Sequence, residues 1–545
     1  MKLSHKQRLF IWQFSIVGFF LLIWVELFNL QIIQSPKLIA SAQKQYNKPP
    51  VTLRGEVRDR NGNLLVLDYV TYDIYNNIKK TSKVPEEKIN KLSELLKINS
   101  DKLIQKLNQR KDTKIIGGIH ESAANKIKKD FYDLVYPVPK IARLYPHNKM
   151  AAHVIGFVNS DHIGQHGVEY SHEDLLTKSS LKSNTQFFQK GTDIALTIDS
   201  VLQEYTEEEL NKAVKDSRAN RGAIIVLSPK TGEVYAWAVY PSFNPNFFFK
   251  EKAIKNWSIT DIYQPGSTFK VITISSGLEN MTIDKDFSFY DTGSLKISNR
   301  IIRNHNKTKP QNINLLELFK QSSNIASAQV GLSMKPEMFY NSIKKFMIGT
   351  KTNIDLPGES NGLLLDFKKW KIIDLATTAF GQGAVSVTPL QLACAVSAVA
   401  NHGIWVQPHV LKGTWDSQYN LINESPYEIY TEQVISPNTA DFVSGLLKQS
   451  VKESLIAMAY IAGNVEGYEV AGKTGTAQKI RPDGKGYLGG HTVASFIGYL
   501  PADNPQLLAL VVIDDPKTGG GWGNTVCGPV FNKVAKMAAK RILES

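Results

Sequence analysis

The segment Gln264-Pro265-Gly266-Ser267-Thr268-Phe269-Lys270 constrains this chain more than any other. Pro265-Gly266 is a turn signal, and Thr268 to Thr273 continues in a helix-compatible way, so Ser267 is expected at or just inside a helix N-terminus. Residues three apart share a helix face, which sets the Ser267 hydroxyl beside the Lys270 amine. A serine hydroxyl is a poor nucleophile until a neighbouring base takes its proton. Lysine serves as that base only when burial or nearby positive charge lowers its pKa. The helix N-terminus also offers free N–H groups to a developing negative charge.

Each such motif alone is common. Ser-x-x-Lys also occurs at Ser41–Lys44, Ser179–Lys182 and Ser342–Lys345, and Lys-Thr-Gly at Lys230-Thr231-Gly232 and Lys517-Thr518-Gly519. A single copy is ordinarily a solvated turn or helix face. One set stands apart by order and context: Ser267–Lys270, then Ser322-Ser323-Asn324, then Lys473-Thr474-Gly475-Thr476. That trio in that order resembles the penicillin-binding protein and serine β-lactamase superfamily.

At 545 residues the chain is too long for one ordinary domain, and two or three are expected. A hydrophobic content of 42% excludes global disorder. The net charge of +14 comes from lysines spread along the chain, with no basic block and no nucleic-acid motif, so no nucleic-acid partner is expected. Two cysteines cannot make a disulfide framework. Cys394 lies in the apolar run Leu390–Val399 and Cys527 in a glycine-rich turn, and neither has a metal or redox spacing.

Residues 9–33 form one mostly apolar stretch, about 37 Å long as a helix, enough to cross a bilayer. Residues 1–8 carry Lys2, Lys6 and Arg8, which favour a cytoplasmic tail. Lys37, Lys44 and Lys48 on the other side nearly balance them, and the family resemblance decides for an outer, periplasmic position of the rest. Ala40-Ser41-Ala42 offers the alternative of a cleaved signal peptide. The polar run Gln34–Lys37 and Glu26 put that site too far from the apolar core, which favours an uncleaved, single-pass anchor in the inner (plasma) membrane.

Residues 34–176 read as a non-catalytic pedestal. Arg54 to Leu65 is a strand, an Asn-Gly turn and a second strand, similar to the stretch that opens the pedestal of class B penicillin-binding proteins. The resemblance adds Arg143-Leu144-Tyr145-Pro146, His153–Gly156 and Gly167-Val168-Glu169. Apolar spacing between Pro85 and Arg110 predicts two short helices. His147, His153, His162, His166 and His172 cluster here, but Gly164 between His162 and His166 and the lack of cysteines or paired carboxylates argue for a loop, with no metal. Residues 177–190 are polar and aperiodic and read as a linker.

Residues 191–545 hold all the motif groups. Gly191–Asp199 predicts a strand and Val201–Val214 an amphipathic helix; Gly222–Leu227 and Glu233–Val239 form a hairpin whose turn absorbs the first Lys-Thr-Gly copy. Leu315–Phe319 is a short helix that delivers Ser322-Ser323-Asn324. Gly381-Gln382-Gly383 lacks the helix and acidic partner of a nucleotide loop. Tyr468–Ala477 is a strand, with Gly475 removing a side chain where a peptide backbone must approach. Strict alternation sets Lys473 opposite Thr474 and Thr476, so that strand must lie edge-on to the site. By resemblance, Ser267 is the nucleophile and Lys270 its base. Ser322 relays a proton, Asn324 orients Lys270 and holds the substrate peptide group, and Lys473 supplies positive charge. Thr474, Gly475 and Thr476 bind the substrate, and the backbone N–H groups of Ser267 and Thr476 form the oxyanion hole. Trp257 and Gln264 depart from the arginine and glutamate usual in the family, and Cys527 from a small residue.

The resemblance thus implies an α/β multidomain fold: an N-terminal transmembrane helix, an α/β pedestal, and a penicillin-binding transpeptidase domain. In the last, an antiparallel sheet is flanked by helices and joined to an all-helical subdomain. It implies a class B D,D-transpeptidase that cross-links peptidoglycan stem peptides, without cofactors, is inhibited by β-lactams, and is more like the septal division type than the elongation type. A β-lactamase is disfavoured because Ser322-Ser323-Asn324 replaces Ser-Asp-Asn and no deacylating glutamate is evident. The implied partners are D-Ala-D-Ala donors, acceptor amines, β-lactams, the membrane, and a membrane glycosyltransferase with other division proteins. A β-lactam sensor or an inactive division scaffold remains the reading from another class.

Overall fold

The computed structural model describes residues 19–20, 23–24, 27–29, 51–78, 84–178, 188–304, 310–415, 421–424, 428–453, 465–481, 483 and 486–544. The expected cytoplasmic tail, most of the expected anchor and Ala40-Ser41-Ala42 lie outside these residues. Among the described residues no helix is long and apolar enough to cross a membrane. The chain forms two compact units, Met1–Leu53 with Ser179–Gly191, and Arg54–Lys178 with Thr192–Ser545. In the first, Val51–Leu53 pairs in parallel with Phe188–Lys190, so the end of the expected linker is strand rather than coil.

The second unit begins with β1 (Val57–Arg58) and β2 (Leu64–Asn76). Asp59 shapes the turn between them: its Oδ1 accepts from the Asn61 and Asn63 amides at 2.9 and 2.8 Å. Helices α1 (Glu86–Leu96) and α2 (Ser100–Leu107) follow, the second capped by Asn99. Next come β3 (Lys114–Ile119), α3 (Glu121–Asp130) and β4 (Val135–Leu144). Strand β2 pairs antiparallel with β1, β3 and β4. The three helices bury Ile89, Leu92, Leu96, Leu103, Leu107 and Ile127 against Ile74 and Ile115, giving this part a core of its own.

A charged centre nearby is buried except at Glu173, whose side chain is 35% exposed. Arg54 and Arg143 share Glu169 at 2.8 and 2.7 Å; Arg143 also reaches Asp68 at 3.1 Å, and Arg54 reaches Glu173 at 2.8 Å. Paired this way, each buried charge has partners for its hydrogen-bonding capacity. Three stretches singled out in the sequence, around Arg54, Arg143 and Gly167-Val168-Glu169, therefore meet in one ion network.

Strand β5 (Asp193–Leu196) is fully buried rather than alternating, because it lies inside a sheet covered on both faces. It runs parallel to β1. Helix α4 (Ser200–Asp216) is capped by Asp199, and the hairpin β6 (Arg221–Leu227) and β7 (Val234–Tyr240) follows. Helix α5 (Lys270–Glu279) grows out of a tight turn at Gly266–Phe269. Strands β8 (Ser288–Asp291), β9 (Ser294–Ile297), β10 (Arg300–Arg303) and β11 (Gln311–Asn314) form two nested pairs, β8 with β11 and β9 with β10. The helical region expected from the sequence is thus interrupted by strands.

Helices α6 (Leu315–Gln321), α7 (Asn324–Ser333), α8 (Pro336–Lys345), α9 (Pro389–Ala400) and α10 (Pro437–Glu453) belong to that region. Strands β12 (Leu411–Trp415) and β13 (Leu421–Glu424) extend the first sheet, which runs in the order β13-β12-β5-β1-β2-β3 with β4 also on β2. Finally β14 (Ala471–Ile480), β15 (Tyr487–Leu500) and β16 (Leu507–Asp514) join the hairpin in a sheet ordered β7-β6-β16-β15-β14, closed by α11 (Gly528–Ala538). All its pairings are antiparallel. Successive residues of β6 face opposite cores: Ala223, Ile225 and Leu227 toward the main cluster, Ile224 and Val226 toward α4 and α11. Strand β14 is the sheet edge.

Candidate active site

Ser267 lies in the tight turn that opens α5, half-buried, one turn from Lys270. Three glycines let other backbone close around this turn. Gly266 has φ of +61° and donates its N–H to the Gly381 carbonyl at 3.0 Å. A Cβ on Gly381 would come within 2.2 Å of the Gly266 oxygen, so the Gly381-Gln382-Gly383 run is the wall behind the nucleophile turn. A Cβ on Gly475 would lie 2.3 Å from Ser495 Oγ and 2.9 Å from Thr268 Cγ2. That glycine therefore makes room for the protein's own turn and neighbouring strand, not for substrate backbone.

Lys270 is fully buried, and its Nζ donates to the Ser322 carbonyl at 2.6 Å, to Asn324 Oδ1 at 2.9 Å and to Ser322 Oγ at 3.2 Å. Lys473 enters from β14, and its Nζ lies 3.2 Å from Ser322 Oγ, 3.1 Å from the Thr474 carbonyl and 3.3 Å from Thr474 Oγ1. Its long side chain curls round the strand edge, which brings the amine to the threonine side despite the alternation. Ser322 Oγ is thus held between two amines. Ser267 Oγ makes no hydrogen bond among the described residues, so the closest polar link in the cluster runs through Ser322 rather than from Ser267 to Lys270.

Two buried lysines this close cannot both carry a proton cheaply. Burial, and secondarily the Lys473 charge, hold the Lys270 amine well below the ordinary lysine range. Burial brings Lys473 down to about 8. The arrangement favours a neutral Lys270 beside a charged Lys473. A neutral amine has two protons, which the Ser322 and Asn324 carbonyl oxygens accept, leaving its lone pair for a hydroxyl proton.

Ser322 has a left-handed backbone, φ 54°, at the end of α6, which breaks the chain so that α7 can start at Asn324. Thr476 Oγ1 accepts from the Gly523 amide at 3.2 Å. A Cβ on Gly266 would meet the Thr476 carbonyl oxygen at 3.0 Å, so that carbonyl faces the nucleophile turn. On a strand the N–H and C=O of one residue point to the same side, which aims the Thr476 N–H there too. The Ser267 N–H, in the first turn of a helix, has no partner among the described residues.

Three contributors carry no motif that would mark them. Asp291 and Asn304 support Ser323 and Asn324 from the β8–β11 insert, and Gly523 holds the Thr476 hydroxyl. Asp291 ends a strand and Asn304 follows one, neither in a motif, and Gly523 is one of several glycines in its run. The departures from the family pattern have local partners. The Arg221 guanidinium stacks 4.4 Å over Trp257 and reaches Asp261 and Asp514 at 2.6 and 2.8 Å. Gln264 accepts from the Tyr487 hydroxyl at 3.0 Å. Cys527 is fully buried, and burial pushes its thiol up, which leaves it inert. The five histidines have separate partners: Leu64 O, Ala253 O, Asp68, the Gly167 amide and Asp355.

The penicillin binding protein transpeptidase domain model matches residues 222–536, and the penicillin-binding protein dimerisation domain model matches residues 49–195. The chain belongs to the penicillin-binding protein transpeptidase family. Stage V sporulation protein D of Bacillus subtilis (strain 168) is 31% identical over 98% of this chain and 85% of that protein. Peptidoglycan D,D-transpeptidase FtsI of Buchnera aphidicola subsp. Schizaphis graminum is 30% identical over 97% and 95%. Penicillin binding protein 3 from Mycobacterium tuberculosis, solved with aztreonam, superposes with a TM-score of 0.71 at 25% identity, covering 90% of this chain and 96% of that one. Within this family, the two-lysine cluster lies inside the stretch that the transpeptidase match covers.

Proposed function

We propose that this chain is a peptidoglycan D,D-transpeptidase of the septal, cell-division type that works through an acyl-enzyme on Ser267. The observation that carries the reading is the pair of buried amines, Lys270 and Lys473, on either side of Ser322 Oγ at the nucleophile turn.

In acylation, Ser267 Oγ attacks the carbonyl carbon of the penultimate D-alanine, and its proton passes to the Lys270 lone pair. The tetrahedral oxyanion is held by the N–H groups of Ser267 and Thr476. Collapse breaks the peptide bond, and the proton leaves Lys270 through Ser322 Oγ to the departing D-alanine amine. An amine of a second stem peptide then attacks the ester carbonyl, gives its proton back by the same route, and restores the Ser267 hydroxyl. Lys473, largely protonated at neutral pH, holds the terminal carboxylate near Thr474 and Thr476. A β-lactam presents a similar carbonyl and carboxylate and acylates the same serine. The Mycobacterium penicillin binding protein 3 complexes with aztreonam and ampicillin support that extension.

In the same reading residues 9–33 anchor the chain in the plasma membrane. Residues 34–176 raise the catalytic part, 191–545, on the outer side, with helices α5 to α10 as a subdomain beside the cleft. A membrane glycosyltransferase and other division proteins are the partners this arrangement calls for.

The test is labelling of the full chain with a fluorescent penicillin, followed by mass spectrometry of a D-Ala-D-Ala donor incubated with an acceptor amine. Wild type takes one covalent label and forms the cross-linked product, and Ser267→Ala does neither. Absence of any label on wild type rejects the reading. Label without cross-linking favours a sensor, and rapid turnover of the β-lactam favours a hydrolase.

A further inference from the structure

The Asn324-Ile325 start of α7 is held at three points by one short segment outside the catalytic motifs. Asn304 Oδ1 accepts from the Asn324 and Ile325 amides at 2.9 and 3.2 Å, and Asn324 Nδ2 donates to the Arg303 carbonyl at 3.3 Å. Asn304 therefore acts as a second cap on α7, supplied from another element, beside Ser323, whose Oγ accepts from the Ala326 amide at 3.0 Å. Asn304 is in turn fixed by Asp291: its Nδ2 donates to Asp291 Oδ2 at 2.5 Å. The same carboxylate oxygen accepts from Ser323 Oγ at 2.9 Å, while Asp291 Oδ1 accepts from the Gly293 amide at 2.8 Å. Asp291 is almost fully buried, so these donors replace its water.

From this geometry we infer that Asp291 and Asn304 are positioning residues for acylation at Ser267, setting the first turn of α7 so that Asn324 Oδ1 stays on the Lys270 amine. The inference rests on the transpeptidase reading above. It assigns the β8–β11 insert a share in tuning the base rather than a covering role alone. The covering role is real too: Ile297 and Ile302 of the insert pack on Ile325 and Ala328 of α7. Packing of that kind explains why the insert stays in place, but not why a buried carboxylate fixes an amide whose oxygen accepts from the first two backbone N–H groups of α7. Without Asn304 Oδ1 the first turn of α7 can shift, and a displacement of about 1 Å at a catalytic contact costs roughly 100-fold.

The two roles separate by pH. The Asn324 carbonyl favours a charged Lys270 over a neutral one, so loosening it lowers the pKa of the base further and moves the acid limb of acylation to lower pH. A loss of packing only reduces the folded fraction. The experiment measures second-order acylation of the full chain by a fluorescent penicillin across pH, with thermal melting as the fold control, in wild type, Asn304→Ala and the isosteric Asp291→Asn. Expected are a fall of roughly 10- to 100-fold for Asn304→Ala and a smaller fall for Asp291→Asn, both with the acid limb moved down. Folded variants that acylate like wild type with an unmoved limb overturn the inference, as does a loss that follows the melted fraction alone. If Asn304→Ala does not fold, Asp291→Asn decides. A wild type that takes no label brings down the transpeptidase reading itself, whereas labelled wild type with indifferent variants brings down only this inference.

Discussion

The Gly523 amide donates to Thr476 Oγ1 at 3.2 Å. A threonine oxygen that already accepts one hydrogen bond has its own O–H turned away from that donor. Thr476 thereby presents a directed donor instead of a freely rotating hydroxyl. A hydrogen bond to a carboxylate contributes about 1.5–3 kcal/mol. Thr476→Val should slow acylation by a carboxylate-bearing penicillin roughly 10- to 100-fold, by the same principle. Thr476→Ser should stay within a few-fold of wild type. Stopped-flow labelling measures both, and an active valine variant would remove the hydroxyl from substrate recognition.

Gly475→Ala should be severe for a reason internal to the protein. The added methyl meets Ser495 Oγ and Thr268 Cγ2, so β14 must move away from the nucleophile turn. Overpacking of this kind costs about 1–3 kcal/mol, and acylation should fall roughly 100-fold. Ser495 Oγ is buried and has no hydrogen-bond partner among the described residues. Adding Ser495→Gly therefore relieves the nearest clash at little polar cost. Melting temperature and labelling rate should both recover in part in the double variant, and no recovery would place the strain at Thr268 instead.

Acylation should show a bell-shaped pH profile. Lys270 must be neutral to accept the serine proton, so the rate rises as pH climbs through its lowered pKa. Lys473 must be charged to hold the carboxylate, so the rate falls again near its value of about 8. Measuring second-order acylation from pH 5 to 10 tests this directly. A rate still rising beyond that upper limb would mean that the Lys473 charge is not used.

Lys473 also costs stability. Its folded pKa lies below the unfolded one, so between the two the unfolded chain binds more protons and stability rises with pH. Below about 8 the full penalty applies. Lys473→Met should therefore raise the neutral-pH stability by on the order of 1–3 kcal/mol, an advantage that shrinks toward the lysine range near pH 10.4. Thermal melts of both proteins at neutral and alkaline pH would show it. A methionine variant less stable at neutral pH would mean that the amine's three hydrogen bonds outweigh its desolvation.

The parts of this molecule legible in the sequence are those with short-range grammar. Pro265-Gly266 before an apolar run announces a helix start, and the turn and helix at Ser267 follow. The spacing of Ile89, Leu92 and Leu96 gives α1 the same way. What could not be read is support that arrives from a distance. Nothing local in Asp291 or Asn304 marks them as props for Asn324, because their partners are set by how β8 and β10 pack on α7. The edge-on problem at Lys473 was visible from alternation, but its solution, a side chain bent round the strand, depends on where Ser322 stands. Strand β5 was expected as a strand, but its burial on both faces was not legible, since a sheet covered on both faces leaves no polar side to read.

Strand β5 has β12 on one side and β1 on the other, the latter from the Arg54–Asn63 stretch. Chain order and spatial order therefore disagree about where one module stops. Cutting the gene ahead of residue 191 to express the catalytic half alone would strip β5 of its neighbour and leave raw backbone donors and acceptors, an invitation to aggregate. A truncation that keeps its solubility must carry β1 and β2 with it, and swapping stalks between homologues means re-knitting a sheet rather than exchanging beads on a string.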